Sequence, residues 1–199
     1  TIDVSMPERP RLLGAVGVPD MGYATYLEAT GDHVFVSRSA DGFESPALLA
    51  IDVRDPSAPS HVGTYVPADT AAEMVYAFAV RDGFAYVPLD GLRVVDVRDF
   101  SRMTEVGRFA WSDEEVDGYA IALAGGVVYT IDDRGLNAFD VSSPAAPRLL
   151  WTEDPSPVAW LRAFREADGT WRLYGIDDFG LTVYDALGDG RLREVISVP

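Results

Sequence analysis

Apolar residues in this chain come in short runs broken by turn residues. Tyr76-Ala77-Phe78-Ala79, Phe84-Ala85-Tyr86-Val87 and Val127-Val128-Tyr129-Thr130 are examples, each followed closely by Gly, Asp or Pro. Runs rich in Val, Tyr, Phe and Leu are strand chemistry, because β-branched and aromatic side chains pack well on a pleated surface. The runs are near-continuously apolar rather than alternating, which fits strands covered on both faces. No window sustains a 3.6-residue period with caps. The pattern predicts an all-β chain.

The pattern also repeats. An apolar–Asp–small step recurs at Asp3, Asp52, Asp96, Asp140 and Asp185, at intervals of 49, 44, 44 and 45 residues. Three copies run on into a double-proline turn, at Pro7–Pro10, Pro56–Pro59 and Pro144–Pro147. A short strand follows with Gly14, Gly63 or Gly107 at a fixed place, where the next copy has Trp151. Then comes a run led by Tyr23, Tyr76, Tyr119 or Trp160, a second strand, and an Asp/Gly turn back to the Asp step. The single long interval traces to an insertion around Phe43–Ala47, expected to project as a hairpin tip.

Four short strands in a unit of about 40–50 residues is the β-propeller pattern. The fold expected is four full blades of four antiparallel strands plus a half-blade, in a ring of five or more. The repeats run about 19–66, 67–110, 111–152 and 153–199, after a half-blade at 1–18, in one domain over 1–199. The leading half-blade lacks its two inner strands, so a longer natural protein is expected. By analogy with other propellers, the aromatic-led run is innermost (Tyr76–Arg81), then Phe84–Pro88, Leu92–Val97 and, outermost, Met103–Ala110. The half-blade should pair Ile2–Val4 with Leu12–Val18.

Residues 91–99, 48–59 with 61–67, and 135–150 resemble the LVIVD-repeat family, and the resemblance extends over essentially the whole chain. It implies propeller proteins, often exported or surface-associated in bacteria and archaea, without a shared catalytic set. An extracellular, periplasmic or cell-surface location is expected on that ground. Two turns depart from the family pattern, Asp99-Phe100-Ser101-Arg102 and Leu187-Gly188-Asp189-Gly190.

Composition then narrows the chemistry. Cys is absent, which excludes disulfides, thiolate catalysis and Cys-ligated zinc. Lys is absent too, so all 16 cationic side chains are Arg and Schiff-base chemistry is excluded. Against them stand 32 acidic residues, for a net charge of −16, which repels nucleic acid and anionic lipid and favours cations or basic partners. No apolar run is long enough to insert in a membrane as a helix. On the propeller layout half of the acids, 16 of 32, fall in loops of one rim, with Arg38 and Arg134 the cations expected near enough to offset them.

No nucleophile–base spacing, zinc motif or phosphate loop occurs. The repeated Asp is expected to be structural, its carboxylate accepting backbone N–H groups of the turn that follows. The two histidines, His33 and His61, are expected at strand edges. Trp160 is expected in the core and Trp151 on an outer strand. The candidate binding site is the acidic rim at Trp111, Asp113, Glu114, Glu115, Asp117, Asp132 and Asp133. Trp111 would supply an aromatic anchor or a sugar platform. Asp113, Glu115 and Asp117 are the candidate Ca²⁺ ligands, as hard oxygen donors; no cofactor is required. The leading reading is a non-catalytic interaction propeller binding a protein or carbohydrate partner at this rim. The alternatives are a hydrolase with Ca²⁺ in the central tunnel, and a carbohydrate-binding module. The hydrolase needs acids converging on the axis, and the inner strands supply few beyond Glu28.

Overall fold

The computed structural model describes residues 1–18, 22–39, 45–70, 74–111, 116–178 and 180–199. Its elements are strands and turns, with one short 3₁₀ turn at Phe100–Arg102 and no α-helix among the described residues. A ribbon of β1 (Ile2–Asp3) and β2 (Arg11–Leu12) comes first. Four four-stranded sheets follow. The first holds β3 (Tyr23–Thr30), β4 (His33–Ser39), β5 (Ala47–Asp52) and β6 (Ser60–Tyr65). The second holds β7 (Ala79–Arg81), β8 (Phe84–Val87), β9 (Gly91–Asp96) and β10 (Thr104–Ala110). The third holds β11 (Gly118–Ala124), β12 (Val127–Asp132), β13 (Gly135–Asp140) and β14 (Arg148–Glu153). The fourth holds β15 (Trp160–Arg165), β16 (Trp171–Ile176), β17 (Leu181–Ala186) and β18 (Leu192–Val198).

Within every sheet the strands lie in chain order and pair antiparallel, as propeller blades do. The first strands of neighbouring blades touch, β3 with β7, β7 with β11, and β11 with β15, so these line the axis. Some strands are shorter than the sequence suggests. The innermost strand of the second blade begins at Ala79, not Tyr76, and the half-blade pairs only Ile2 with Leu12 and Asp3 with Arg11. Among the described residues that ribbon hydrogen-bonds as a strand pair to no other strand, and β18 pairs only with β17.

Middle strands are buried on both faces, which accounts for their unbroken apolar runs. Alternate residues then feed two different interfaces. In the second blade, Val87 and Val95 pack towards Phe35, Leu48 and Phe78, while Tyr86 and Val94 pack towards Val128 and Phe139 of the third. Tyr129 and Leu136 of the third blade join Leu161, Leu173 and Tyr184 of the fourth. The core is therefore a series of layers between blades. Each interface is also keyed at its outer edge. A Cβ on Gly14, Gly63 or Gly107 would run into the turn of the next blade, at Ser57, Phe100 and Pro144 respectively. Between the third and fourth blades Trp151 takes that place, its indole N–H donates to the Gly190 carbonyl at 3.0 Å, and the facing turn carries a glycine. The turn at 187–190, which lacks the double proline, and Trp151 are thus in direct contact.

Two expectations are corrected here. Trp160 is not core: it opens β15 and is 50% exposed, as Tyr23 and Tyr119 at the same place in their blades are exposed. The insertion is not all loop. Phe43 lies outside the described residues, but Ala47 is fully buried, begins β5 and pairs with Arg38.

Candidate functional site

In an antiparallel blade the second-to-third turn and the outer-to-inner loop emerge at the same edge. Between the second and third blades, backbone bonds tie two such loops together. Asp90 N–H donates to Val116 O at 3.0 Å, Trp111 N–H to Asp90 O at 3.1 Å, and Gly118 N–H to Pro88 O at 3.2 Å. Leu89 forms a bridge with Asp117, and Gly118 pairs with Asp132. Asp117 and Asp132 are thereby carried to the turn that bears Asp133. Tyr119 lies among them, 37% exposed, and donates its hydroxyl to Asp133 at 2.6 Å. That bond, with burial and the charge of Asp117 behind it, pushes the Tyr119 phenol up to about 12. Tyr76 stands beside it, ring centroids 5.5 Å apart.

Of the seven rim residues expected from sequence, Asp113, Glu114 and Glu115 lie outside the described residues. Of the three candidate Ca²⁺ ligands only Asp117 is described. Among the described residues no group of three or more His, Asp or Glu is set to hold a metal ion. Trp111 is half-buried, packed edge-on to Phe109 at 5.0 Å, with the Arg134 guanidinium 4.8 Å from its ring centre. Asp132 is buried, and burial raises its carboxyl above the usual range, although Asn137, the Arg134 N–H and Trp111 pull the other way. Desolvation, not repulsion between converging acids, is the cause of that shift.

A third cation, Arg93, joins Arg38 and Arg134 near these loops, which corrects the expected charge balance. Arg93 sits within β9 and is 1% exposed. It reaches Asp90 at 2.8 Å and Glu105 at 3.1 Å, and donates to Ala68 O at 2.9 Å. Glu105 also accepts the Tyr65 hydroxyl of the first blade at 2.6 Å. Asp90 is therefore neutralised from inside. The signal was one Arg inside the apolar run Leu92-Arg93-Val94-Val95, which needs a buried partner.

Four of the five repeated aspartates take the structural place expected; the fifth, Asp185, is held instead by Arg172 at 3.2 Å and by Arg193, while the Leu187 N–H donates to Arg191 O. Asp3, Asp52, Asp96 and Asp140 each accept the N–H of the residue two further on, at 2.9–3.0 Å. Each also pairs with an Arg: Arg11, Arg54, Arg98 or Arg148. These bonds hold Asp52 and Asp96 down at about 2, chiefly through Arg54 and Arg98, and Asp140 at about 2, chiefly through Ser142. His33 stacks on Phe100 with centroids 3.8 Å apart, and His61 is exposed on β6, beside Gly63 O and the Thr64 hydroxyl at 2.9 Å. His33 pairs with Asp52 across β4 and β5.

The axis holds a cavity of about 340 Å³ lined from all four blades. Glu28 of β3 accepts the Val80 N–H at 3.2 Å, and burial raises its carboxyl despite that bond and the charge of Arg162. Arg81 donates to the carbonyls of Leu123 and Gly125, and its guanidinium lies 5.2 Å from the Trp171 ring centre. Arg162 of β15 lies 5.3 Å from the Tyr26 ring centre. Sequence reading singled out Glu28 but not the two arginines, because their convergence depends on how four blades close around one axis.

Comparison with known proteins bears on the fold. The LVIVD repeat matches residues 21–66 and 74–110. No curated protein matches the chain. Among solved structures, the chain is similar to a quinonprotein alcohol dehydrogenase-like protein of Bacteroides thetaiotaomicron, at 14% identity and TM-score 0.60, covering 90% of this chain and 42% of that one. A protein of Bacteroides uniformis named as a 6-phosphogluconolactonase matches at 12% identity and TM-score 0.66, covering 95% and 60%. The extracellular domain of a protein of B. thetaiotaomicron, named as a hybrid two component system, matches at 11% identity and TM-score 0.52, covering 89% and 22%. The chain thus spans less than two thirds of each of these structures. At such identities the likeness is one of fold.

Proposed function

We propose that this chain, whose LVIVD repeats fold as propeller blades, is a non-catalytic interaction module that takes a basic protein segment on its acidic rim. The reading is carried by one observation: the paired loops between the second and third blades bring Asp117, Asp132 and Asp133 together with Tyr119 and Trp111. Acids around partly exposed aromatic rings suit Arg or Lys side chains, by charge and by cation–π contact. A net charge of −16 adds long-range attraction for such a partner. No helix among the described residues is long and apolar enough to cross a membrane. We place the module outside the cytoplasm, with an extracellular domain among its fold relatives as support.

The test is fluorescence anisotropy of a labelled arginine-rich peptide against the chain. Binding should weaken steeply with salt, because the attraction is largely screened over a Debye length of about 8 Å at physiological ionic strength. Asp133→Asn combined with Asp117→Asn should weaken it about tenfold, each lost charge pair being worth roughly 0.5–1 kcal/mol. Equal binding of the peptide by the double variant would place the partner elsewhere. Tight binding of a neutral oligosaccharide instead would favour the carbohydrate-binding reading.

A further inference from the structure

We infer that the axial cavity is a second binding site, of opposite charge to the rim, for a small hydroxylated carboxylate such as a hexuronate, with Arg162 holding the carboxylate group. The inference does not depend on the rim: it stands on other residues and asks for an anion where the rim asks for a cation.

Four observations carry it. The first is room. Ala79, Ala122 and Ala163 line the cavity from three inner strands, and the space they leave, about 340 Å³, is the size of a small-molecule pocket. The second is local charge. The chain as a whole has two acids for every Arg, yet this cavity is lined by Arg81 and Arg162 against the single carboxylate of Glu28. The third is the state of Arg162. Among the described residues no carboxylate lies within salt-bridge distance of it, and no hydrogen bond engages its guanidinium. Its contact is with the Tyr26 ring, which fixes a guanidinium by its face and leaves the in-plane N–H donors for a ligand. Those donors match the two oxygens of a carboxylate as a fork. The fourth is Glu28, turned in place by the Val80 N–H and retaining acceptor capacity for a ligand hydroxyl.

Arg81 plays a different part. Its donors are engaged by the Leu123 and Gly125 carbonyls, it lies over Trp171, and its Nε is 3.9 Å from the solvent-exposed carboxylate of Asp82, so it is a fixed part of the wall whose charge is partly offset. Glu28 makes binding pH-dependent. The groups facing it are the Val80 N–H and Arg81 from β7, Arg162 from β15, and Tyr26 on its own strand, with apolar Ile121, Ala122 and Leu123 from β11. Its carboxyl is raised by burial, so it takes up a proton before an ordinary glutamate does as pH falls. The repulsion between Glu28 and a bound carboxylate is then removed.

Isothermal titration with glucuronate, and with glucose as the uncharged ring of the same size, tests this on the whole chain. Glucuronate should bind, and glucose at least about tenfold more weakly, as the loss of a charge-assisted hydrogen bond requires. Arg162→Gln should lose a similar factor. Arg162 is exposed, and an unchanged thermal midpoint would show that the fold survives. Glu28→Gln should tighten glucuronate binding and flatten its pH dependence, a result that damage to the fold would not produce. Asp133→Asn should leave glucuronate binding unchanged, whatever it does to the arginine-rich peptide. No binding at millimolar glucuronate, equal binding of glucose, or an Arg162→Gln variant that binds as well as the native chain would each overturn the assignment.

Discussion

At the scale of single residues, the charges of this chain divide into two kinds. Arg93 is a buried hub whose loss strands Asp90 and Glu105 without their cation. Breaking such a pair while leaving its acids in place costs about 3 kcal/mol. Arg93→Met should therefore lower urea stability by about that amount, with an unchanged m-value; a loss under about 1 kcal/mol would mean that solvent readily takes over the role of Arg93. Four of the five repeated aspartates are the second kind, half-buried and locked. Asp52, Asp96 and Asp140 stand at about 2 against an ordinary 3.8. A lowered folded value means that their contribution is complete above the ordinary value and disappears as pH falls through the folded one. Asp132 and Glu28 have the opposite sign, since both are raised by burial and are relieved by protonation. The thermal midpoint should thus rise as pH is lowered from 7 towards the ordinary carboxylate range of about 4, then fall below it. A midpoint that declines steadily from pH 7 downwards would contradict the assignment of the buried acids.

At the scale of the element, the outer strand is where blades are keyed to one another. Gly107 faces the carbonyl of Pro144 and the backbone of Ala145 so closely that a Cβ displaces the third blade's turn. Overpacking of this kind costs about 1–3 kcal/mol. Gly107→Ala should fall in that range by chemical denaturation, while Gly17→Ala, with open space around its Cβ position, should be nearly neutral. The same geometry accounts for Trp151. Its facing turn carries Gly190, whose own Cβ would press on Leu150, so Gly190→Ala should destabilise this interface as well. The periodic glycine was visible in the repeat, but its reason was not. Its backbone is ordinary in φ, and only the next blade's turn shows that space, not conformational freedom, is what excludes a side chain.

At the scale of the whole molecule, a net charge of −16 repels itself. Sodium chloride should raise the thermal midpoint by screening. Calcium at matched ionic strength should raise it further only if a site binds the ion in the folded state, by about 2.7 kcal/mol at a hundredfold excess over Kd. Equal effects of the two salts would assign the acidity to solubility alone. Exposed apolar side chains gather on the outer blades, at Leu27 on one side and Phe164, Ile176 and Ile196 on the other. Among the described residues the middle blades expose fewer, chiefly Val106 and Tyr119.

The sequence by itself determined the strand class, the repeat and the blade architecture, because each is a matter of local period and turn chemistry repeated about every 44 residues. It also determined the role of four of the five repeated aspartates, each of which accepts the N–H of the residue two further on. Tertiary structure decided what depends on distant segments meeting. Trp160 carries an aromatic signature that would suit a core residue, and only its place at the opening of an inner strand shows that it is exposed. Arg93 finds its partners across a strand and in the preceding blade's loop, at separations that no local pattern encodes. Glu28, Arg81 and Arg162 come from three different blades, and become neighbours because the inner strands converge on one axis.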